Sequence, residues 1–212
     1  MNRKDFIKKS IVIGTAGVLS GYSNAETQKR NTTPSEVEGP FYPLQAQKDK
    51  DFDLTEFDGR KEKALGEHIF INGVILDEKS EPIEDAMVDL WQANAFGKYR
   101  HPHDNSKAKL DPNFQGWAIV QSGTKGEFRF KTVFPGTYLA SDDWERPPHI
   151  HFKVMKRGYL ELMTQMYFPN HPLNENDFLI KRKEETERKR MVATLEKEDP
   201  KEYKYTIVLQ KV

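Results

Sequence analysis

Two histidines on one short stretch have the spacing in this chain that best suits metal chemistry. His149 and His151 are separated by one residue, and Pro147 and Pro148 hold the approach to them extended. If the stretch is a β-strand, both imidazoles leave the same face, about 6.6 Å apart along the strand. The spacing suits two ligands of one metal ion, although two hydrogen-bonded surface histidines would show the same pattern.

Two tyrosines narrow the choice of metal. Tyr99 and Tyr138 each stand two residues after a glycine. A phenolate is a hard anionic oxygen ligand that suits Fe(III) rather than Zn²⁺ or Cu⁺, and a bound trication holds tyrosine deprotonated far below its usual pKa of about 10. Two phenolates and one hydroxide cancel a 3+ charge, which leaves two neutral histidines to complete the coordination. These residue types indicate a mononuclear ferric site.

Six motifs in one order carry a family resemblance. They are 38–42 (EGPFY), 90–101 (LWQANAFGKYRH), 110–114 (LDPNF), 134–138 (FPGTY), 146–151 (RPPHIH) and 164–168 (TQMYF). With these motifs the chain resembles the intradiol ring-cleavage dioxygenases, most closely the beta chains of protocatechuate 3,4-dioxygenase. The resemblance runs along most of the chain. It implies one non-haem Fe(III) per chain, with four protein ligands: Tyr99, Tyr138, His149 and His151.

The resemblance also implies a reaction and roles for further residues. A catechol-type ring would be cleaved by O₂ between its two hydroxylated carbons to give a cis,cis-muconate-type product. Tyr138 would leave the metal and take a substrate proton, and Arg146 would stabilise negative charge on the ring. Tyr42 is expected at the mouth of the substrate cavity and Trp91 in its wall. Gln165 is expected beside the metal or the substrate.

Two features depart from the protocatechuate enzymes of this family. Ala140 stands where those enzymes have a tryptophan two residues after the second tyrosine ligand, and the 138–146 loop is two residues shorter. Since this loop borders the substrate, the sequence leaves open whether the substrate carries a carboxylate.

Two other interpretations remain open at this point. A second His-x-His, His101 and His103, is followed by Asp104, which gives a two-histidine, one-carboxylate set typical of Fe(II) or Zn²⁺. The 73–88 pattern G-x-x-x-D-x-x-x-x-P-I-x-D-A-x-V also occurs in transthyretin-like modules that have no catalysis. The alternative to an enzyme is therefore an exported transthyretin-like ligand-binding module.

Alternation of apolar and polar residues predicts an all-β fold. Strands are predicted at 68–77, 85–92, 117–121, 127–132, 149–155, 161–167 and 203–212. One short surface helix is predicted within 181–198, where Met191, Val192 and Leu195 have helical spacing. The pattern indicates one β-sandwich with long loops, and the 73–88 motif favours the transthyretin-like (prealbumin-like) type. The resemblance to the dioxygenases implies that it spans 36–212 as one catalytic domain.

The first 25 residues predict a signal peptide. Four basic residues within positions 3–9 precede a short apolar run, and Ser23 and Ala25 form a fair small-x-small cleavage site. The run is too short to span a bilayer, so no stable membrane insertion is expected after cleavage. We expect an exported protein, periplasmic or extracellular, with the general secretory and twin-arginine routes both open. Residues 26–35 are polar and predict a flexible lead-in.

Composition excludes several classes of partner. The chain of 212 residues has 33 basic and 33 acidic residues, so no basic excess points to nucleic acid. It contains no cysteine, which excludes disulfides and a lipidated cysteine. The expected partners are a small catechol and O₂, and a homo-oligomer remains open.

Overall fold

The computed structural model describes residues 30–45, 47–57 and 59–212. The predicted signal peptide, 1–25, and the first part of the predicted lead-in, 26–29, lie outside the described residues. Among the residues described, no helix combines the length and apolar character needed to cross a bilayer. The described part of the lead-in is tied to the last strand, because the backbone N–H of Thr33 donates to Val208 O at 3.0 Å and Val208 N–H donates to Thr33 Oγ1 at 2.8 Å.

Ten strands in the described part of the chain form two four-stranded sheets and one separate hairpin. In chain order they are β1 (His68–Asp77), β2 (Met87–Trp91), β3 (Trp117–Gln121), β4 (Glu127–Val133), β5 (Tyr138–Ser141), β6 (Trp144–Arg146), β7 (His149–Met155), β8 (Leu162–Tyr167), β9 (Thr194–Glu198) and β10 (Lys201–Leu209). The first sheet has the order β4-β1-β10-β9 and the second β3-β2-β7-β8, while β5 pairs with β6. β1 and β10 pair in parallel, whereas β4 is antiparallel to β1 and β9 is antiparallel to β10.

The two large sheets enclose an apolar core between them. Ile71 and Ile75 of β1 are fully buried, as is Phe152 of β7 on the opposite sheet. The ring of Phe152 lies 5.9 Å from that of Phe128 and 6.5 Å from that of Phe130, both on β4. Burial of these β-branched and aromatic side chains supplies the main favourable term in folding. The predicted all-β sandwich is confirmed.

The charged stretch 181–198 differs in part from its prediction. Residues Glu185–Met191 form α1, the expected short surface helix, and two 3₁₀ turns precede it at Pro172–Glu175 and Ile180–Arg182. The prediction that the helix extends from Met191 to Leu195 is wrong. Leu195 lies in β9 and pairs with Tyr203 of β10. The apolar spacing of so short a segment fits either structure, and pairing with the edge of β10 selects the strand.

The second sheet positions most of the predicted site residues. β7 lies between β2 and β8, so both of its edges are hydrogen-bonded. His149 and His151 leave the face of β7 opposite to Ile150 and Phe152, which enter the core. Trp91 on β2 is the register partner of His151 on one side. On the other side, His151 faces Gln165 of β8 and His149 faces Tyr167.

Candidate metal centre

The structure brings the four predicted metal ligands into one cluster of rings. Tyr99 lies in the loop after β2 and is buried, whereas Tyr138 begins β5 and is partly exposed. The centroids of their rings are 5.6 Å apart. Tyr138 lies 5.7 Å from His149, and Tyr99 lies 6.3 Å from His151. The two imidazoles are 4.9 Å apart, which closes the group.

Two glycines allow the loops that carry the tyrosines to pack backbone against backbone. A Cβ added at Gly97, where φ is +76°, would lie 2.0 Å from the carbonyl oxygen of Thr137. A Cβ at Gly136 would lie 2.4 Å from the amide nitrogen of Gly97 and 2.7 Å from the carbonyl oxygen of Ala95. The glycine that precedes each tyrosine by two residues therefore sets how closely Tyr99 and Tyr138 approach.

Replacing Gly97 by alanine is expected to destabilise the protein more than the same change at Gly59. Both glycines have a φ of +76°, but a Cβ at Gly59 has no atom within 4 Å. We expect Gly59→Ala to lower the free energy of unfolding by about 1–2 kcal/mol from backbone strain alone. Gly97→Ala should lower it by about 2–5 kcal/mol, because a steric clash adds to that strain. Denaturant unfolding measures both, and equal losses would argue against close packing of the two loops.

The histidines present neutral nitrogens to the cluster. His149 Nδ1 lies 2.7 Å from the carbonyl oxygen of Pro147, which places its proton on Nδ1 and leaves the lone pair on Nε2. Burial, with the positive charge of Arg146 adding to it, holds the pKa of His149 well below its usual value and lowers the pKa of His151 to about 3. Both imidazoles are therefore neutral at neutral pH, the form that binds a metal.

Three donor atoms of this cluster are buried without a hydrogen-bond partner in the described part of the chain: Tyr99 Oη, His149 Nε2 and His151 Nδ1. An unsatisfied buried polar atom costs free energy, so three together indicate a missing binding partner. Burial, mainly, raises the pKa of both Tyr99 and Tyr138 above the usual value. The phenols stay protonated at neutral pH without a metal, and a bound trication would displace those protons. The donor set fits a hard trivalent metal.

Arg146 lies at the centre of a buried polar network beside the rings. It is 4% exposed, and its Nε donates to Asp177 Oδ2 at 2.6 Å. Its Nη2 donates to Gln165 Oε1 at 2.7 Å and to Tyr167 Oη at 3.2 Å. Gln165 also donates from Nε2 to the backbone oxygen of Val37, at 2.9 Å. The predicted residues Arg146 and Gln165 are thus direct partners, and Asp177 and Tyr167 are members of the network that the sequence did not identify.

Trp91 and Tyr42 lie in successive layers on one side of the cluster. The indole of Trp91 stacks on His151 with centroids 4.8 Å apart and an interplanar angle of 11°. The edge of Tyr42 meets Trp91 at 4.9 Å, and its hydroxyl donates to Asp89 Oδ2 at 2.8 Å. Trp91 therefore contacts a predicted ligand directly, whereas Tyr42 supports Trp91 from behind.

Phe41, rather than Tyr42, is the aromatic residue of the 38–42 motif that covers the tyrosines. Its ring lies 4.7 Å from that of Tyr99 and 6.1 Å from that of Tyr138. The preceding backbone also lies over the site, since a Cβ at Gly39 would be 3.4 Å from Cε1 of His151. The 38–42 motif indicates that this segment belongs to the site. Its spacing does not show which of the two adjacent aromatic rings faces the tyrosines.

Comparison with known proteins identifies the family of this chain. A family model described as "Dioxygenase" matches residues 37–211. The protocatechuate 3,4-dioxygenase beta chain of Burkholderia cepacia is 36% identical over 180 residues, which are 81% of this chain and 76% of that protein. The chain belongs to the intradiol ring-cleavage dioxygenase family. The predicted family is thereby confirmed, and the alternative of a binding module without catalysis is not favoured.

Other intradiol dioxygenases extend the comparison. Hydroxyquinol 1,2-dioxygenase of Rhizobium sp. (strain MTP-10005) is 26% identical over 86% of this chain and 62% of its own length. Among solved structures, 3-chlorocatechol 1,2-dioxygenase of Rhodococcus opacus 1CP has a TM-score of 0.68 at 22% identity, covering 88% of this chain and 76% of that one. The intradiol ring-cleavage dioxygenase of Tetranychus urticae has a TM-score of 0.67 at 20% identity, covering 85% and 95%. These structures support the fold alone.

The second His-x-His of this intradiol dioxygenase lacks a free carboxylate. Asp104 accepts from the backbone N–H of Tyr99 at 2.7 Å and from Lys98 Nζ at 3.1 Å. His101 Nδ1 accepts from the backbone N–H of His103 at 3.1 Å. Within the described ranges, no three His, Cys, Asp or Glu side chains are grouped to hold a metal ion. The structure therefore does not support a two-histidine, one-carboxylate centre here.

Proposed function

We propose that this chain cleaves a catechol-type ring with O₂ between the two hydroxylated carbons, at one ferric ion held by two tyrosines and two histidines. Membership of the intradiol dioxygenase family supports the reaction, and the family uses non-haem iron. The proposed ligands are Tyr99, Tyr138, His149 and His151. The observation that carries the assignment is the clustering of these four rings, three of which carry a buried donor atom without a hydrogen-bond partner among the residues described.

A ferric ion in this set would draw electron density from a bound catecholate ring, so that O₂ can react with the ring without an external reductant. The two oxygen atoms of O₂ both enter the product, a cis,cis-muconate-type diacid. No reduced cofactor is needed for that balance.

Tyr138 is the better suited of the two tyrosines to leave the metal and take a substrate proton. It lies on the β5–β6 hairpin, outside both large sheets, and is partly exposed. Tyr99 is buried, and its loop is held by the bond between its backbone N–H and Asp104. A side chain that must move during turnover is better placed on the less packed element.

The remaining residues of the site would orient the ring and exclude water. Phe41 and Trp91 supply apolar surface on two sides of the cluster. Arg146, fixed by its bonds to Gln165 and Asp177, would direct its N–H groups towards the ring as negative charge develops. Because these partners hold the guanidinium before substrate binds, little reorganisation is needed during the reaction.

The visible spectrum of the full iron-loaded protein tests this proposal. Tyrosinate bound to Fe(III) gives a red to burgundy charge-transfer band, and catechol added without oxygen should shift it to longer wavelength. Iron and protein assays on the same sample should give one iron per chain. Guaiacol, whose second oxygen is methylated, is the control and should shift the band far less. A protein that stays colourless after reconstitution with iron would overturn the proposed site.

Export is part of the proposal. It is supported only by the composition of residues 1–25, whose basic start, apolar run and small-residue end resemble a signal peptide. N-terminal sequencing of the mature protein from cell fractions tests it, and an intact N-terminus in the cytoplasm would contradict it.

A further inference from the structure

A buried carboxylate accompanies the guanidinium of the site. Asp177 is fully buried, and its Oδ2 accepts from Arg146 Nε at 2.6 Å. Its Oδ1 accepts from the backbone N–H groups of Leu179 and Ile180, both at 3.0 Å, and from Tyr167 Oη at 3.2 Å. Asp177 is thus held by several hydrogen bonds, and its carboxylate forms an ion pair with the guanidinium of Arg146.

This pairing leaves little net positive charge for a substrate carboxylate to meet. Two nitrogens of the guanidinium already donate hydrogen bonds within the protein, Nε to Asp177 and Nη2 to Gln165. The β5–β6 hairpin that carries Tyr138 adds three exposed carboxylates before Arg146 and no lysine or other arginine: Asp142, Asp143 and Glu145. Exposed charges act weakly through water, but all three have the sign that repels an anion.

The surface around the guanidinium is aromatic. Cζ of Arg146 lies 5.2 Å from the centroid of the Trp144 ring, which stacks on Phe178 at 5.2 Å. Phe41 covers the tyrosines. Aromatic surface favours an uncharged ring substituent over an ionised one, because burying an unpaired carboxylate is costly.

We propose that Asp177 determines specificity, because by neutralising Arg146 it makes the site select catechols without a ring carboxylate over carboxylated ones. This inference rests on the proposed function and adds the substrate class to it. Asp177 does not touch the substrate and acts through Arg146. Its charge, rather than its packing, is what sets the preference.

Two substrates that differ in charge and by one methyl group test the preference in the wild-type protein. Protocatechuate and its methyl ester share the catechol ring, but only the acid is ionised at neutral pH. We expect kcat/KM for the ester to exceed that for the acid by roughly three- to tenfold, as expected for one charge acting over several ångströms in a partly polar site. Equal values, or a preference for the acid, would overturn the inference. If neither compound nor catechol were turned over, the proposed function itself would fail.

Replacing Asp177 by asparagine tests the residue. Asparagine keeps an oxygen for the N–H groups of Leu179 and Ile180 but leaves Arg146 with an unbalanced charge. The ratio of kcat/KM for acid to ester should rise by roughly three- to tenfold. Tyr167→Phe is the matched control, because it removes a hydroxyl from the same network without changing charge, and it should lower both values by a common factor. A ratio that Asp177→Asn leaves unchanged would reduce Asp177 to a structural role. If that variant does not fold, the wild-type ratio decides.

Discussion

Replacing Tyr99 by phenylalanine is expected to abolish iron retention and ring cleavage together. The change leaves one phenolate to balance a 3+ charge, in a site whose burial opposes unbalanced charge. We expect iron content to fall far below one per chain and the charge-transfer band to disappear. We also expect kcat/KM to fall by at least about a thousandfold, which corresponds to about 4 kcal/mol of transition-state stabilisation.

Tyr205 provides the control for this change. Its hydroxyl is also buried without a hydrogen-bond partner among the residues described, but it lies in the core between the sheets, beside Phe152. Tyr205→Phe should therefore retain iron, colour and activity. Loss of iron in both variants would point to a general packing defect, and a Tyr99→Phe protein that keeps its full iron content would remove Tyr99 from the ligand set.

Replacing Arg146 by methionine should have the largest effect on stability. It removes the partner of Asp177, which is fully buried and would remain as an unpaired charge. Breaking such a pair from one side costs about 3–5 kcal/mol. At about 2–4 °C per kcal/mol for a chain of this size, Tm should fall by roughly 6–20 °C. Thermal unfolding of the iron-free proteins measures this without a contribution from metal binding.

The double variant Arg146→Met with Asp177→Asn separates stability from catalysis. With no buried charge left, most of the lost stability should return. Activity should stay low, because the guanidinium N–H groups near the ring are still absent. Additive losses of stability in the double variant would contradict the description of Arg146 and Asp177 as one buried pair.

The sequence predicts the fold better than it predicts the site. Alternation identifies β7, and with it the shared face of His149 and His151, because that pattern is local to the strand. It cannot show that the loop of Tyr99 packs on the loop of Tyr138, since this depends on the close approach of Gly97 to Thr137. For the tyrosines, the family resemblance supplied what the spacing did not.

Asp177 shows most clearly what local patterns leave out. It lies in a polar segment between β8 and α1 that has no strand or helix period. Its partner Arg146 is 31 positions away in sequence, on another element. Charge pairing over that separation is decided by tertiary packing, and a single sequence carries no signal for it.

The parallel pairing of β1 with β10 has a consequence for the order of folding. Phe70 is the register partner of Glu202, so the first sheet joins chain segments far apart in sequence and cannot close until β10 is available. The second sheet uses only residues between Met87 and Tyr167. Because shorter chain closures cost less entropy, the sheet that carries both histidines should acquire its hydrogen bonds first. Pulse-labelled hydrogen exchange reads that order directly, and protection of β1 before β7 would reverse it.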